Sequence, residues 1–126
     1  MKALSVRQPW ASLIVAGKKT LEVRSRRTNH RGPLVICSSK TDAHSKAALA
    51  ASELLPLAPY PGGVALGIVD LVDCRPARDG DHAGALCDLH GAFVWVLDNP
   101  RQCHNVPVLG KLGVFELPEE VARRLA

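Results

Sequence analysis

The chain has 126 residues, of which 47 % are hydrophobic and 22 % charged, and a net charge of +4. That is the length of one domain with a core of its own. It lacks the run of about 20 uncharged apolar residues that a membrane-spanning helix needs, and the opening Met1-Lys2-Ala3-Leu4-Ser5-Val6-Arg7 lacks the apolar region of a secretory signal, so a cytoplasmic protein is expected. The positive balance favours polyanionic partners such as nucleic acid. Cys37, Cys74, Cys87 and Cys103 form no C-x-x-C pair and read as free thiols. Cys87 with His90, or Cys103 with His104, falls short of the tight ligand spacing of zinc modules, so no metal site and no cofactor is expected.

Ala3–Val6 reads as a short strand. A helix follows from Gln8-Pro9-Trp10, with Pro9 at the first helical position and Trp10, Leu13 and Ile14 facing inward. Gly17 is the expected left-handed residue ending that helix. From Thr20 the period becomes two: Leu21 and Val23 face one way, and Thr20, Glu22 and Arg24 the other. Ser25 to Arg31 is a basic loop ending at Gly32-Pro33, and Leu34–Cys37 is a buried strand. Thr41 or Asp42 can cap a second helix reaching about Leu55, with a turn-rich connector from Pro59 to Gly63. Val64–Asp73 has the composition of a central strand.

Arg75 to Gly91 reads as a loop, placing His82 and His90 in solvent. Ala92–Leu97 reads as a strand with Phe93, Trp95 and Leu97 on one face. A turn is expected at Asn99-Pro100, then short strands at Val106–Val108 and Leu112–Glu116 about Gly110-Lys111, and a closing helix over Glu119–Leu125. These elements imply an α+β fold, a mixed sheet curled into a partial β-barrel with two to three short helices, in a single domain.

The chemistry concentrates at Lys19, Glu22 and Arg24. A strand puts Glu22 and Arg24 on one side, and a turn at Gly17 lets Lys19 swing onto the same face. Such a cluster can grip a phosphate through the guanidinium fork and accept hydrogen bonds from a base amine at the carboxylate. A surface salt-bridge ladder is the plainer alternative. Trp10 and Trp95 are either stacking platforms or core residues. Arg24, Arg26, Arg27, His30 and Arg31 either follow a phosphate backbone along the cleft rim or form a solvated loop, and Asn99 and Lys111 are weaker candidates for the rim. Asp70 interrupts an apolar strand face: it either points into the cleft, beside Lys19, or meets solvent at a strand end.

Gly17-Lys18-Lys19-Thr20-Leu21-Glu22-Val23-Arg24 fits the G-x-K-x-x-E-x-R signature of the ASCH family, the activating-signal-cointegrator homology domains. Leu4-Ser5-Val6-Arg7-Gln8-Pro9-Trp10-Ala11 resembles the opening of its bacterial members. Phe93 to Pro100 and Gly110-Lys111-Leu112-Gly113 resemble their closing segments. The resemblance implies a PUA-like β-barrel with a cleft beside the helix–strand junction and a link to RNA. It places Lys19, Glu22 and Arg24 in the site, with Ser5, Gln8 and Trp10 as a polar and aromatic wall. The basic residues Lys18, Arg26 and Arg27 are expected as further contacts on their charge alone.

Some ASCH-fold proteins are amidohydrolases that deacetylate a modified cytidine, using the signature lysine, a threonine nucleophile and a strand carboxylate; others are ribonucleases. This chain keeps the lysine as Lys19 but has Glu22 where the hydroxyl stands, a departure from the amidohydrolase pattern. The leading expectation is a domain holding RNA or another nucleic acid. The alternative is a hydrolase on a nucleoside-like small molecule or on RNA, with Lys19, Glu22 and Asp70 as its catalytic set. No apolar patch marking a pure protein-interaction module is evident.

Overall fold

A computed structural model describes residues 1–56, 60–89 and 92–125. Among these residues six strands form one mixed sheet: β1 (Lys2–Val6), β2 (Leu21–Arg24), β3 (Gly32–Ser38), β4 (Val64–Pro76), β5 (Phe93–Pro107) and β6 (Val114–Glu116). Their order is β2-β5-β4-β3-β1-β6, with β1 and β3 parallel and every other pair antiparallel. The sheet curls into a half-barrel that leaves β2 and β6 as its two edges. Among the described residues four short helices accompany it: α1 (Trp10–Val15), α2 (Lys46–Ser52), α3 (His82–Ala85) and α4 (Glu119–Arg123).

The expected α+β architecture is therefore present, with four helices where two or three were expected. Helix α1 lies on one face of the sheet, where Ala11, Ile14 and Val15 pack with Leu4, Ile36, Leu71 and Trp95. The opposite face is closed by Phe115, Leu117 and Leu125 against Ala3, Val35 and Val106. Apolar side chains on both faces explain why β3 and β4 read as nearly continuous hydrophobic runs.

Gly17 takes φ +78° at the C-terminus of α1. Its N–H bonds the Ile14 carbonyl and the Lys18 N–H bonds that of Leu13, the paired closure that a left-handed residue permits. At the other end Pro9 precedes the helix instead of opening it. The side-chain oxygen of Gln8 accepts from the Ser12 N–H at 2.9 Å, satisfying a donor that Pro9 has no side chain to cap.

Three elements depart from expectation. Ser45 caps α2, accepting from the Ala48 N–H at 3.1 Å, so the helix begins later than Thr41 or Asp42 would set it, and it ends at Ser52. The expected loop after Arg75 contains α3, tied down because Asp81 accepts both prongs of the Arg75 fork at 2.8 and 2.9 Å and the Arg78 N–H at 2.9 Å. Those contacts hold the Asp81 carboxyl down at about 2, the Arg75 hydrogen bonds being the largest cause.

Finally, no turn separates two strands at Asn99-Pro100: β5 runs through it as one 15-residue strand. Asn99 adopts φ +51°, and the β4–β5 register slips in the same stretch, between Ile68 and Asp70. There β2 no longer pairs with β5, so Pro100, which has no N–H to give, sits on a free edge at a bulge. The ends of two expected segments, at Pro59 and at His90-Gly91, lie outside the described residues.

Candidate functional site

The closure at Gly17 delivers Lys19 to the interior. Its side chain is 1 % exposed, and its Nζ donates to the Ala85 carbonyl at the end of α3. The same ammonium lies 3.9 Å from Glu22 Oε1, 3.8 Å from Cys87 Sγ and 5.0 Å from the centre of the Trp10 ring. Glu22 Oε2 in turn accepts from Arg24 at 3.0 Å. Lys19, Glu22 and Arg24 thus form one chain of opposite charges. A carboxylate left 8 % exposed needs such partners, because an isolated buried charge costs several kcal/mol.

This chain of charges is the floor of a cleft of about 770 Å³. The walls come from elements remote in sequence. Parallel pairing of β1 with β3 sets their carboxyl ends side by side, which puts Ser5 and Arg7 next to Ser38, Ser39 and Lys40. The segment joining β5 to β6, including Leu109 and Lys111, forms the facing rim. Among the described residues, Arg7, Lys19, Arg24, Lys40 and Lys111 line the cleft against one carboxylate, that of Glu22. A concave surface with that balance attracts anions and focuses their approach.

Cys87 also lines the cleft. Burial pushes its thiol up from its ordinary value, outweighing the pull of the Lys19 ammonium. It therefore stays a neutral thiol at physiological pH, a poor nucleophile.

Of the residues expected in the site, Ser5, Trp10, Lys19, Glu22 and Arg24 line this cleft. Gln8 does not. It is fully buried, and its amide donates to Ser12 Oγ at 2.7 Å and to the Pro61 carbonyl at 3.0 Å, so it organises the start of α1. Lys18 is exposed and stands outside the cleft. Arg26 and Arg27 line a neighbouring groove.

Asp70 is also elsewhere. In β4 it faces Asp98 of β5, accepting from Arg101 at 3.1 Å and from the Asn99 amide at 3.2 Å. These contacts, that of Asn99 first, hold its carboxyl below the usual range. The strand bulge that lets β5 continue also brings Arg101 across, so Asp70 neither neutralises Lys19 nor reaches the cleft. Trp95 packs in the core at 3 % exposure. Among the described residues no three His, Cys, Asp or Glu side chains gather as a metal site, and His90 lies outside them.

Of the other wall residues, Ser38, Ser39 and Lys40 carried no local signal, Arg7 stood only within the opening block, and Cys87 was weighed only with His90 as a metal pair. They meet only through strand pairing and through the docking of α3, at separations no motif spans.

Comparison with known proteins agrees with this fold. A family model described as the ASCH domain matches residues 4–107. Activating signal cointegrator 1 of Homo sapiens is 32 % identical over 94 % of this chain, and that of Mus musculus 31 % over the same share. The chain spans only 22 % of the length of either relative. Among solved structures, ASCH from Zymomonas mobilis superposes with a TM-score of 0.66 at 16 % identity, covering 98 % of this chain and 92 % of that one. A single-residue mutant of the same protein gives 0.69 at 14 % identity, covering 98 % and 94 %. At those identities the structural likeness establishes the fold; the family model and the sequence relatives establish kinship. The chain belongs to the ASCH domain family, a PUA-like group generally linked to RNA binding.

Proposed function

We propose that the domain binds RNA and holds one nucleotide in the Lys19–Glu22–Arg24 cleft. One observation carries the reading: a 770 Å³ hollow whose floor is an alternating Lys–Glu–Arg chain and whose walls add three further cations, Arg7, Lys40 and Lys111. The carboxylate is an acceptor for a base amine, the guanidinium a fork for phosphate oxygens, and Trp10 an aromatic wall at the same depth. The four cysteines are free, which fits the reducing cytoplasm.

Titration of short single-stranded RNAs by fluorescence anisotropy at several salt concentrations tests this. Log affinity is expected to fall linearly with log salt, by about 0.7 for each phosphate engaged. Lys19→Met, which keeps the buried stem, and Arg24→Gln should each weaken binding roughly tenfold to a hundredfold, the worth of a charge-assisted hydrogen bond. Binding that ignores salt, or is unchanged in both variants, refutes the reading.

The near-complete burial of Lys19 beside Glu22 on the floor of an open cleft also favours a hydrolase, since acid–base pairs sit in such places. Incubating the protein with N4-acetylcytidine and with RNA, and following products by chromatography, tests turnover. Product that vanishes in Lys19→Met supports it; no product from either substrate leaves binding alone.

A further inference from the structure

A second groove of about 520 Å³ adjoins the cleft, running between β2 and β6, the two edges of the half-barrel. The two hollows share two lining residues, Arg24 and Leu112. Arg26 and Arg27 line the second hollow from the segment following β2, and no carboxylate lines it among the described residues.

The shared residues are an unusual pair. Arg24 is fixed from two sides: it donates to Glu22 at 3.0 Å, and its guanidinium carbon stands 5.8 Å from the centre of the Trp95 ring. A guanidinium has five N–H donors in a rigid fork, so this anchoring leaves capacity for an anion where the two hollows meet. Leu112 is 100 % exposed. A lone exposed leucine means little, but this one rises from the partition between two basic hollows. Apolar side chains so placed act in nucleic-acid complexes as wedges that separate neighbouring bases.

The outer groove is also preorganised. Trp95 Nε1 donates to the Arg26 carbonyl at 3.0 Å and pins the backbone there, while Arg27 lies 4.8 Å over the Phe93 ring. A guanidinium held over an aromatic face offers a surface for base stacking as well as a charge.

We infer that the groove is a second nucleotide seat, so that the ligand is at least a dinucleotide stretch of single-stranded RNA. Leu112 separates the two bases and Arg24 faces the phosphate joining them. Arg26 and Arg27 take the next phosphate and base. This rests on the reading of the first cleft as a nucleotide site and adds the length and strandedness of what it accepts. A single strand is favoured over a duplex, because prising apart a paired and stacked step costs a few kcal/mol that separated bases do not require.

Calorimetric titration with the 5′-phosphorylated mono-, di- and trinucleotides of each of the four bases, at one low salt concentration, tests the inference. In the best-binding series the wild-type dinucleotide should bind at least tenfold more tightly than the mononucleotide. The Arg26→Ala/Arg27→Ala double variant should keep mononucleotide affinity within twofold and lose most of that gain; Leu112→Ser should lose part of it.

Equal affinity for mono- and dinucleotide, or a gain that survives in the double variant, overturns the second seat and leaves the first intact. Mononucleotide binding that is unaffected by both Lys19→Met and Arg24→Gln overturns the first reading, as does failure of every ligand to bind, and the second seat falls with it.

Discussion

Gly67→Ala should loosen the whole site from a position that touches no ligand. Gly67 lies in β4, where α1 crosses the sheet. A Cβ placed there would stand 2.5 Å from the Arg101 carbonyl oxygen and 2.6 and 3.0 Å from the two methyls of Val15. Carbon atoms normally meet at about 3.5–4.0 Å, so the overlap with Val15 is on the order of an ångström. Neither obstacle is a flexible tail: one is backbone, the other a branched side chain with restricted χ1.

Overpacking of this kind costs about 1–3 kcal/mol, and two obstacles put Gly67→Ala at the upper end. With a urea m-value of about 1–3 kcal/mol/M, a cost of ~3 kcal/mol should lower the midpoint by about 1–3 M. Val15→Ala alone, at a site 8 % exposed, should cost roughly 1.5–3 kcal/mol for its lost methyls and the void left behind. Combined with Gly67→Ala it removes half of the clash, so the double variant should be at least about 1 kcal/mol more stable than additivity gives. Because α1 carries Trp10 and hands the chain to Lys19, the RNA binding proposed above should weaken with Gly67→Ala too. A midpoint within about 0.2 M of wild type, or a strictly additive cycle, would refute this account of how α1 is seated.

Other outcomes follow from the same contacts. Gly17→Ala should cost about 1–2 kcal/mol by thermal denaturation, because the position is left-handed although its Cβ would have room, meeting Pro100 only at 3.5 Å. Asp81 titrates at about 2 when folded, below its unfolded value near ~3.9. Its stabilisation is therefore complete above the unfolded value and disappears as pH falls through about 2. The gap in melting temperature between wild type and Asp81→Asn should accordingly be flat at neutral pH and close between about 4 and 2. The Cys37 thiol, pushed up to about 12 mainly by burial, should resist a maleimide at pH 8 until the protein unfolds, as read by mass spectrometry across a urea series.

What could be read from the chain was whatever neighbours in sequence decide. Gly17 ends α1 because only local sterics are at stake, and the alternation after Thr20 sets Glu22 and Arg24 on one side because a strand has period two. Leu21 and Val94 pack together on the other side of that strand pair. Asp70 shows where such reading stops. Its fate depended on whether β5 breaks at Pro100 or bulges through it, and only the pairing with β4 decides that. Gln8 was misplaced because the helix start lacks a capping side chain at Pro9, and the preceding amide fills the gap. The wall from Arg7 to Lys40 needed the parallel pairing of β1 with β3, which no spacing announces.

The position of the two indoles makes the protein its own sensor. The sequence has only two tryptophans: Trp10 beside the cleft floor, and Trp95 beneath Arg24 in the adjoining groove. Occupancy of the first hollow would alter emission from Trp10, and displacement of the guanidinium would change the surroundings of Trp95. Single-tryptophan versions, Trp10→Phe and Trp95→Phe, would therefore light up the two compartments separately, with no dye attached.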